Sequence, residues 1–348
     1  MTNHPDTRQK PGLFLLLLVL LILAGGFFVL RGRTQNPIVF AQAGASLTEV
    51  MWREGNWYWL EAAGKPGSRL IRANASGSLP PIAAPGINAY AVADGMAVWS
   101  AHDGNHWTIT LAAADGSGKN TLWAGEQELS GLCIAEGRVF WMVSIPPTLP
   151  ESGPLPPLTN KLQIVSVPTA GGSPEVIATL LETTGKQVIG VHDGQLYVSA
   201  VRHTSPEVTT IYRVALNGGS AHRVAGETGV QPALLTKEGA LYWSAPSRES
   251  TQRDKVVCIR RLGKEDKPET LTDWLPGGGH LYESGRGVCY VDGDPLPAAW
   301  AVSAGLELPR SIPLPQDFSV LSVGNGELLL KSSASPSANF PIYRMGLP

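Results

Sequence analysis

Charged side chains are scarce in this sequence, at 16% of 348 residues, and there are only three cysteines, Cys133, Cys258 and Cys289. An odd, small number of thiols excludes a disulfide-stapled fold, and at strand-like positions a buried thiol behaves as a small apolar residue; a Cys258–Cys289 bridge is the single pairing worth testing. Past residue 36 no amphipathic helical stretch of useful length occurs. Metalloprotease spacing of the H-E-x-x-H type and the G-x-S-x-G nucleophile turn are both missing, as is any paired Cys/His ligand set. Basic residues form no concentrated surface: beyond residue 36 the chain holds 23 basic and 28 acidic residues, a net charge of about −5. Nucleic-acid binding draws most of its affinity from phosphate contacts, so that partner is excluded.

What is abundant is glycine (39) and proline (28), the composition of many short strands separated by turns. A signature recurs seven times: a glycine, usually after an acidic residue, with an aromatic or branched apolar pair three and four positions later. It reads Glu54-Gly55…Tyr58-Trp59, Asp94-Gly95…Val98-Trp99, Glu136-Gly137…Phe140-Trp141, Asp193-Gly194…Tyr197-Val198, Glu238-Gly239…Tyr242-Trp243, Gly287…Tyr290-Val291 and Asn325-Gly326…Leu329-Leu330. The glycine-to-glycine steps are 40, 42, 57, 45, 48 and 39 residues, the length of a four-stranded propeller blade. In the fourth repeat the strand-like runs are Val188–Val191, Gln195–Ala200, Thr210–Leu216 and His222–Ala225. The acidic-Gly turn joins the first two and Asn217-Gly218-Gly219 the last two.

The last repeat supplies three strands, Phe318–Val323, Glu327–Lys331 and Pro341–Met345, and the orphan apolar run Pro37–Ala41 is free to supply the fourth. The expectation is an all-β, seven-bladed β-propeller over residues 37–348, closed by its N-terminal strand, with six blades as the alternative because the seventh signature has no aromatic. The Asp-Gly-x-Leu-Tyr pattern followed by Ile211-Tyr212-Arg213-Val214-x-Leu216-Asn217-Gly218-Gly219 resembles the TolB-like and YWTD-like propeller repeats. That resemblance implies an exported or ectodomain propeller that binds proteins, in some relatives a sensor attached to a membrane span. Tyr58-Trp59-Leu60-Glu61 and Tyr242-Trp243-Ser244-Ala245 depart from the YWTD pattern, so no calcium-type residue set carries over.

One long hydrophobic run exists, Leu13–Leu30, uncharged and flanked by Arg8 and Lys10 before and Arg31 and Arg33 after. Eighteen helical residues span roughly 27 Å, close to the hydrocarbon core of a bilayer. The expected organisation is a cytoplasmic tail (1–12), a transmembrane helix (13–30), a linker (31–36) and an extracytoplasmic propeller (37–348); cleavage as a signal peptide is the alternative.

Candidate ligand-binding residues fall on the face where second-to-third-strand loops meet inter-blade loops. His102, with His106 and Asp103, lies in one such loop, and Arg202 and His203 in another. His280 follows Trp274 and Gly277-Gly278-Gly279 between the fifth and sixth repeats, and Trp274 is read as a loop indole able to stack on a sugar or anchor a partner. The insertion Ile145–Lys161 carries six prolines and reads as a stiff extended arm. The loop Ser247–Lys255 reads as a solvated charged turn, Asp292-Gly293-Asp294 as a loop lacking the rest of a calcium set, and Gly116–Lys119 as a hairpin turn. No catalytic residue, metal site or cofactor is expected. The function read from the sequence is a membrane-anchored module binding a protein or a cell-envelope glycan; the alternative is a propeller lyase or hydrolase with its site at the channel mouth.

Overall fold

The computed structural model describes residues 36–347 apart from residue 45 and the segments 84–85, 147–160, 182–183, 203–206, 229–232, 237, 248–255, 264–266, 285–286, 293–297, 303–308 and 335–338. The expected membrane segment (13–30), almost all of the proline-rich insertion, His203 and most of the charged loop after Ser247 lie outside the described residues. Among those described, no helix is long and apolar enough to cross a membrane.

Residues 37–347 form seven four-stranded antiparallel sheets, each with its strands in sequential order except the last. The innermost strands are Leu47–Arg53, Ile87–Ala93, Leu129–Ala135, Thr184–His192, Ala233–Leu235, His280–Ser284 and Phe318–Gly324. Each touches the innermost strand of the next sheet, and the seventh touches the first, so the ring is closed. The seventh sheet is completed by Ile38–Gly44 paired with Asn339–Gly346, from Ile38 opposite Arg344 to Gly44 opposite Asn339. An array whose units each expose an apolar sheet face is stable only when the copies stack, and end-to-end pairing removes the open edge at the seam.

Turn chemistry explains the regularity. Glu54, Asp94, Glu136, Asp193 and Asn325 have φ between 48° and 55°, and the glycine after each lies between 67° and 80°. Positive φ at both central residues is the type I′ turn, whose twist matches that of the two strands it joins. Asn325-Gly326 adopts the same turn, so the seventh repeat is a full blade despite lacking an aromatic. The sixth repeat corrects the sequence alignment by one residue. Ser284 pairs with Gly287, which makes Gly287 the first residue of the second strand rather than a turn residue.

The aromatic pair serves two interfaces, because successive residues of a strand face opposite sides. Tyr58 packs with Ile87, Tyr90 and Trp99 of the second blade, whereas Trp59 packs with Leu329, Phe340 and Ile342 of the seventh. Phe140 and Trp141, and Tyr242 and Trp243, divide in the same way. In the sixth blade Tyr290, not Val291, faces the preceding blade, as the shifted turn requires. Trp59, Trp99, Trp141 and Trp243 are all core. The three cysteines are free thiols, and no Cys258–Cys289 bridge forms.

A buried carboxylate fastens the seam. Glu61, 6% exposed, accepts hydrogen bonds from the Gly44 N–H (2.8 Å) and the Trp59 indole (3.3 Å) at Oε1, and from Arg69 (2.5 Å) at Oε2. Gly44 ends the closing strand, so one side chain of the first blade holds the seventh. Glu227 repeats the device between blades four and five, accepting from Trp243 (3.1 Å) and Arg260 (2.6 Å).

Candidate ligand-binding channel

Innermost strands line the axis of a propeller, and here several are kinked by bulges. The pairing with the second strand slips in blades one, two, three, four and seven. A bulge leaves a residue out of the ladder and re-aims its side chain. In the first blade the bulge holds Glu49, at φ 51°. Left-handed backbone costs a residue with a Cβ about 1–2 kcal/mol relative to its ordinary conformations. The third blade meets the same demand, six residues before its turn glycine, with Gly131 at φ 63°.

On the side of the acidic-Gly turns the axis opens into a cavity of about 590 Å³, walled by blades one, four, five, six and seven. Its polar wall includes Arg53, Glu238, Glu283 and Ser322, and its apolar wall Met51, Leu234 and Val323. Ser322 Oγ donates to the Val50 carbonyl (2.9 Å), and the Tyr282 hydroxyl donates to the Leu321 carbonyl (3.4 Å). Burial, with the Cys289 thiol as a lesser contributor, pushes Tyr282 up to about 12. Arg53 Nη1 donates to the Trp52 carbonyl (3.0 Å), and the guanidinium lies within electrostatic reach of Tyr90 and Cys133. Of the turn acids, Glu54 is engaged across blades: its carboxylate accepts from the Gly95 N–H at 3.1 Å on both oxygens.

Glu49 stands one residue behind Val50, which lines the cavity. Glu49 itself is exposed and does not line the cavity. Loss of bulk solvent pushes its carboxyl up to about 7, opposed by a hydrogen bond from the Tyr90 N–H. The Tyr90 hydroxyl in turn donates to the Glu49 carbonyl, so the second blade grips both ends of this residue. Cys133, raised by burial to about 11, is a neutral thiol at physiological pH and a poor nucleophile.

The residues singled out from sequence lie elsewhere. His102 ends the second strand of blade two (Met96–His102), its ring 4.7 Å from that of Trp107. Asp103 accepts from the His106 and Asn105 N–H groups, which hold its carboxyl below the usual range. Arg202 is the exposed last residue of the second strand of blade four (Gln195–Arg202), and His280 the exposed first residue of the innermost strand of blade six. These three share a face by topology but belong to blades two, four and six, around the ring. Trp274 is not in an inter-blade loop: it lies in the outermost strand of blade five, Pro268–Pro276, and is 43% exposed. Pro276 and the three glycines after it gave it the appearance of a loop, but an outermost strand tolerates a terminal proline. Among the described residues no group of three or more His, Cys, Asp or Glu side chains converges as metal ligands.

Sequence reasoning missed Glu49. A signal existed: aligning the repeats on the turn glycine sets this glutamate against Gly131, and a charged residue where a sister repeat needs glycine is an anomaly.

No family model matches the chain, and no curated protein matches it. Solved structures do. Acylaminoacyl peptidase of Pyrococcus horikoshii is 10% identical with a TM-score of 0.59, over 87% of this chain and 51% of that one. The β-propeller domain of the Trilobed protease from Pyrococcus furiosus is 9% identical with a TM-score of 0.58, over 87% and 93%. Oligogalacturonate lyase from Vibrio parahaemolyticus is 10% identical with a TM-score of 0.58, over 90% and 92%. The chain spans about half the length of the acylaminoacyl peptidases. Likeness at this identity establishes the β-propeller fold and no particular family within it.

Proposed function

We propose that this protein is a membrane-anchored, extracytoplasmic binding module, held by residues 13–30, whose propeller takes a protein or cell-envelope glycan segment at the turn-side mouth of its channel. The observation that carries this reading is the cavity of about 590 Å³, in which Arg53, Glu238 and Glu283 alternate with apolar wall. Concave sites with a few placed polar groups on an apolar surround are the usual form of a binding pocket. Five blades supply the wall, most of it from innermost strands, with the turn residues Glu238, Asn325 and Gly326 at its rim.

A second reading, a lyase or hydrolase, is favoured by the solved neighbours, which include peptidases and oligogalacturonate lyases. In that reading the carboxylates that line the cavity, Glu238 and Glu283, are the first residues to test as general base. Crosslinking of the full-length protein in its native membrane, followed by mass spectrometry, separates the two. The binding reading predicts a reproducible partner whose capture falls in the exposed-site variant Glu238→Lys. Undiminished capture in that variant, or turnover of peptide or oligogalacturonide that Glu283→Gln abolishes, contradicts it.

A further inference from the structure

We propose that Trp52 is the sugar-stacking residue of this channel and that the channel's ligand is an oligosaccharide of pyranose units, one ring of which lies on that indole. The inference rests on the binding reading above and names the ligand class.

Counting back three residues from the turn glycine sets Trp52 level with Val92, Ile134, Val191, Thr236 and Val323 of other blades. Those are β-branched side chains, and Val92, Ile134, Thr236 and Val323 are buried. Among these repeats only blade one carries an aromatic at this register, and the indole exceeds what the position encloses. Trp52 is left half-buried in the cavity wall, whereas its neighbour Trp57 is 1% exposed and belongs to the core. Packing alone is served by a β-branched residue, as the sister blades show.

The ring is also held in place. Trp52 meets Trp57 edge to face, with centroids 5.2 Å apart and planes at 63°. Gly324 ends the innermost strand of blade seven and is not one of the positive-φ glycines, so its backbone would admit a side chain. Space would not: a Cβ there would lie 2.3 Å from the Trp52 Cβ. A strand glycine with no conformational reason marks a close approach. Blade seven therefore clamps Trp52 at its root, and an indole fixed in this way has little freedom left to lose on binding.

Around the ring the wall presents Gln187, Ser284 and Asn325. Amides and hydroxyls both donate and accept, as neighbouring sugar hydroxyls require, while the apolar face of a pyranose covers an indole. The volume of about 590 Å³ falls within the ~300–1,000 Å³ of small-ligand sites. This recognition uses ring and hydroxyls and does not depend on the net charge of the wall. A peptide draws its affinity from a run of main-chain pairs or from several apolar pockets; one indole among amides is neither.

The test is an array of N-acetylglucosamine, glucose, mannose, galactose and galacturonate oligomers probed with fluorophore-labelled full-length protein, followed by calorimetric titration of the strongest hit. An acetylated, amidated alanine hexapeptide bearing one proline is titrated beside it, because proline also stacks on indoles. An oligosaccharide is expected to bind, with Trp52→Val weakening it by about tenfold or more and Trp52→Phe, which keeps a ring, by less. Trp52→Val gives blade one the residue of its sisters and is expected to fold; Trp52→Phe carries the comparison if it does not. In proton spectra of the bound sugar, C–H signals of one ring face should move upfield with wild type and not with Trp52→Val, a shift that an indole used only for packing does not produce. Wild-type affinity in Trp52→Val, with loss in Glu238→Lys, overturns the role of Trp52 and leaves the channel reading intact. A blank array, or binding of the peptide alone, overturns the ligand class, and partner capture by Glu238→Lys then decides the channel reading on its own.

Discussion

Glu49 and Glu61 lie twelve residues apart in the first blade, and their surroundings differ in kind. Glu61 is met by an N–H, an indole and a guanidinium; Glu49 has one N–H at its carboxylate. Removing the carboxylate of Glu61 leaves its donors unpaired in a buried site, so Glu61→Ala should lower stability by about 2–3 kcal/mol in chemical denaturation. The prediction for Glu49 has the opposite sign. Its folded-state pKa of about 7 lies above the ordinary carboxylate range, so the folded state holds a proton that the unfolded chain has lost, and stability falls as pH rises from about 4.5 through 7. Glu49→Gln should flatten that decline and melt higher than wild type at pH 8; a wild-type midpoint independent of pH across this window contradicts the assignment. At the thiols, Cys133 and Cys289 are raised by burial to about 11 and about 12. Native protein at pH 8 should resist alkylation by iodoacetamide at both, and label at both once unfolded.

At the scale of the strand and turn, a small number of local rules govern the architecture. Five acidic-Gly or Asn-Gly pairs take the type I′ geometry that their chemistry favours, which is why seven repeats and the closing run near Pro37 were legible in the sequence. Gly287 misled by one position, because a glycine that opens a strand looks in sequence like one that makes the turn; only the Ser284–Gly287 pairing settles it. Glu49 left a trace only in its alignment against Gly131, for a different reason. A bulge depends on how an innermost strand fits its neighbours around the axis, and nothing within Leu47–Arg53 reports that fit. Trp274 was legible as exposed but not as the outer edge of blade five. The paired aromatics carry a stability prediction at this scale: Trp141→Ala removes a fully buried indole between blades two and three and should cost about 3–5 kcal/mol. A loss below 1 kcal/mol in urea denaturation would mean the blade interface is not packed as described.

Residues 37–347 form a ring whose first strand completes its last sheet, so deletion of Ile38–Gly44 should expose the Asn339–Gly346 edge and raise the aggregated fraction of the purified protein in light scattering. The ring also explains why the channel, and not the sequence-selected histidines, is the better candidate site. Residues from five blades, most of them on innermost strands, converge on the axis, whereas His102, Arg202 and His280 are distributed around the rim. The central claim is therefore one of position, that the partner enters at the axis. Site-specific photocrosslinking of the full-length protein in intact cells tests it most directly, with the probe at Asn325 on the channel mouth or at Trp274 on the outer rim. Capture of one partner from Asn325 and none from Trp274 is the predicted result; capture from Trp274 alone would contradict it.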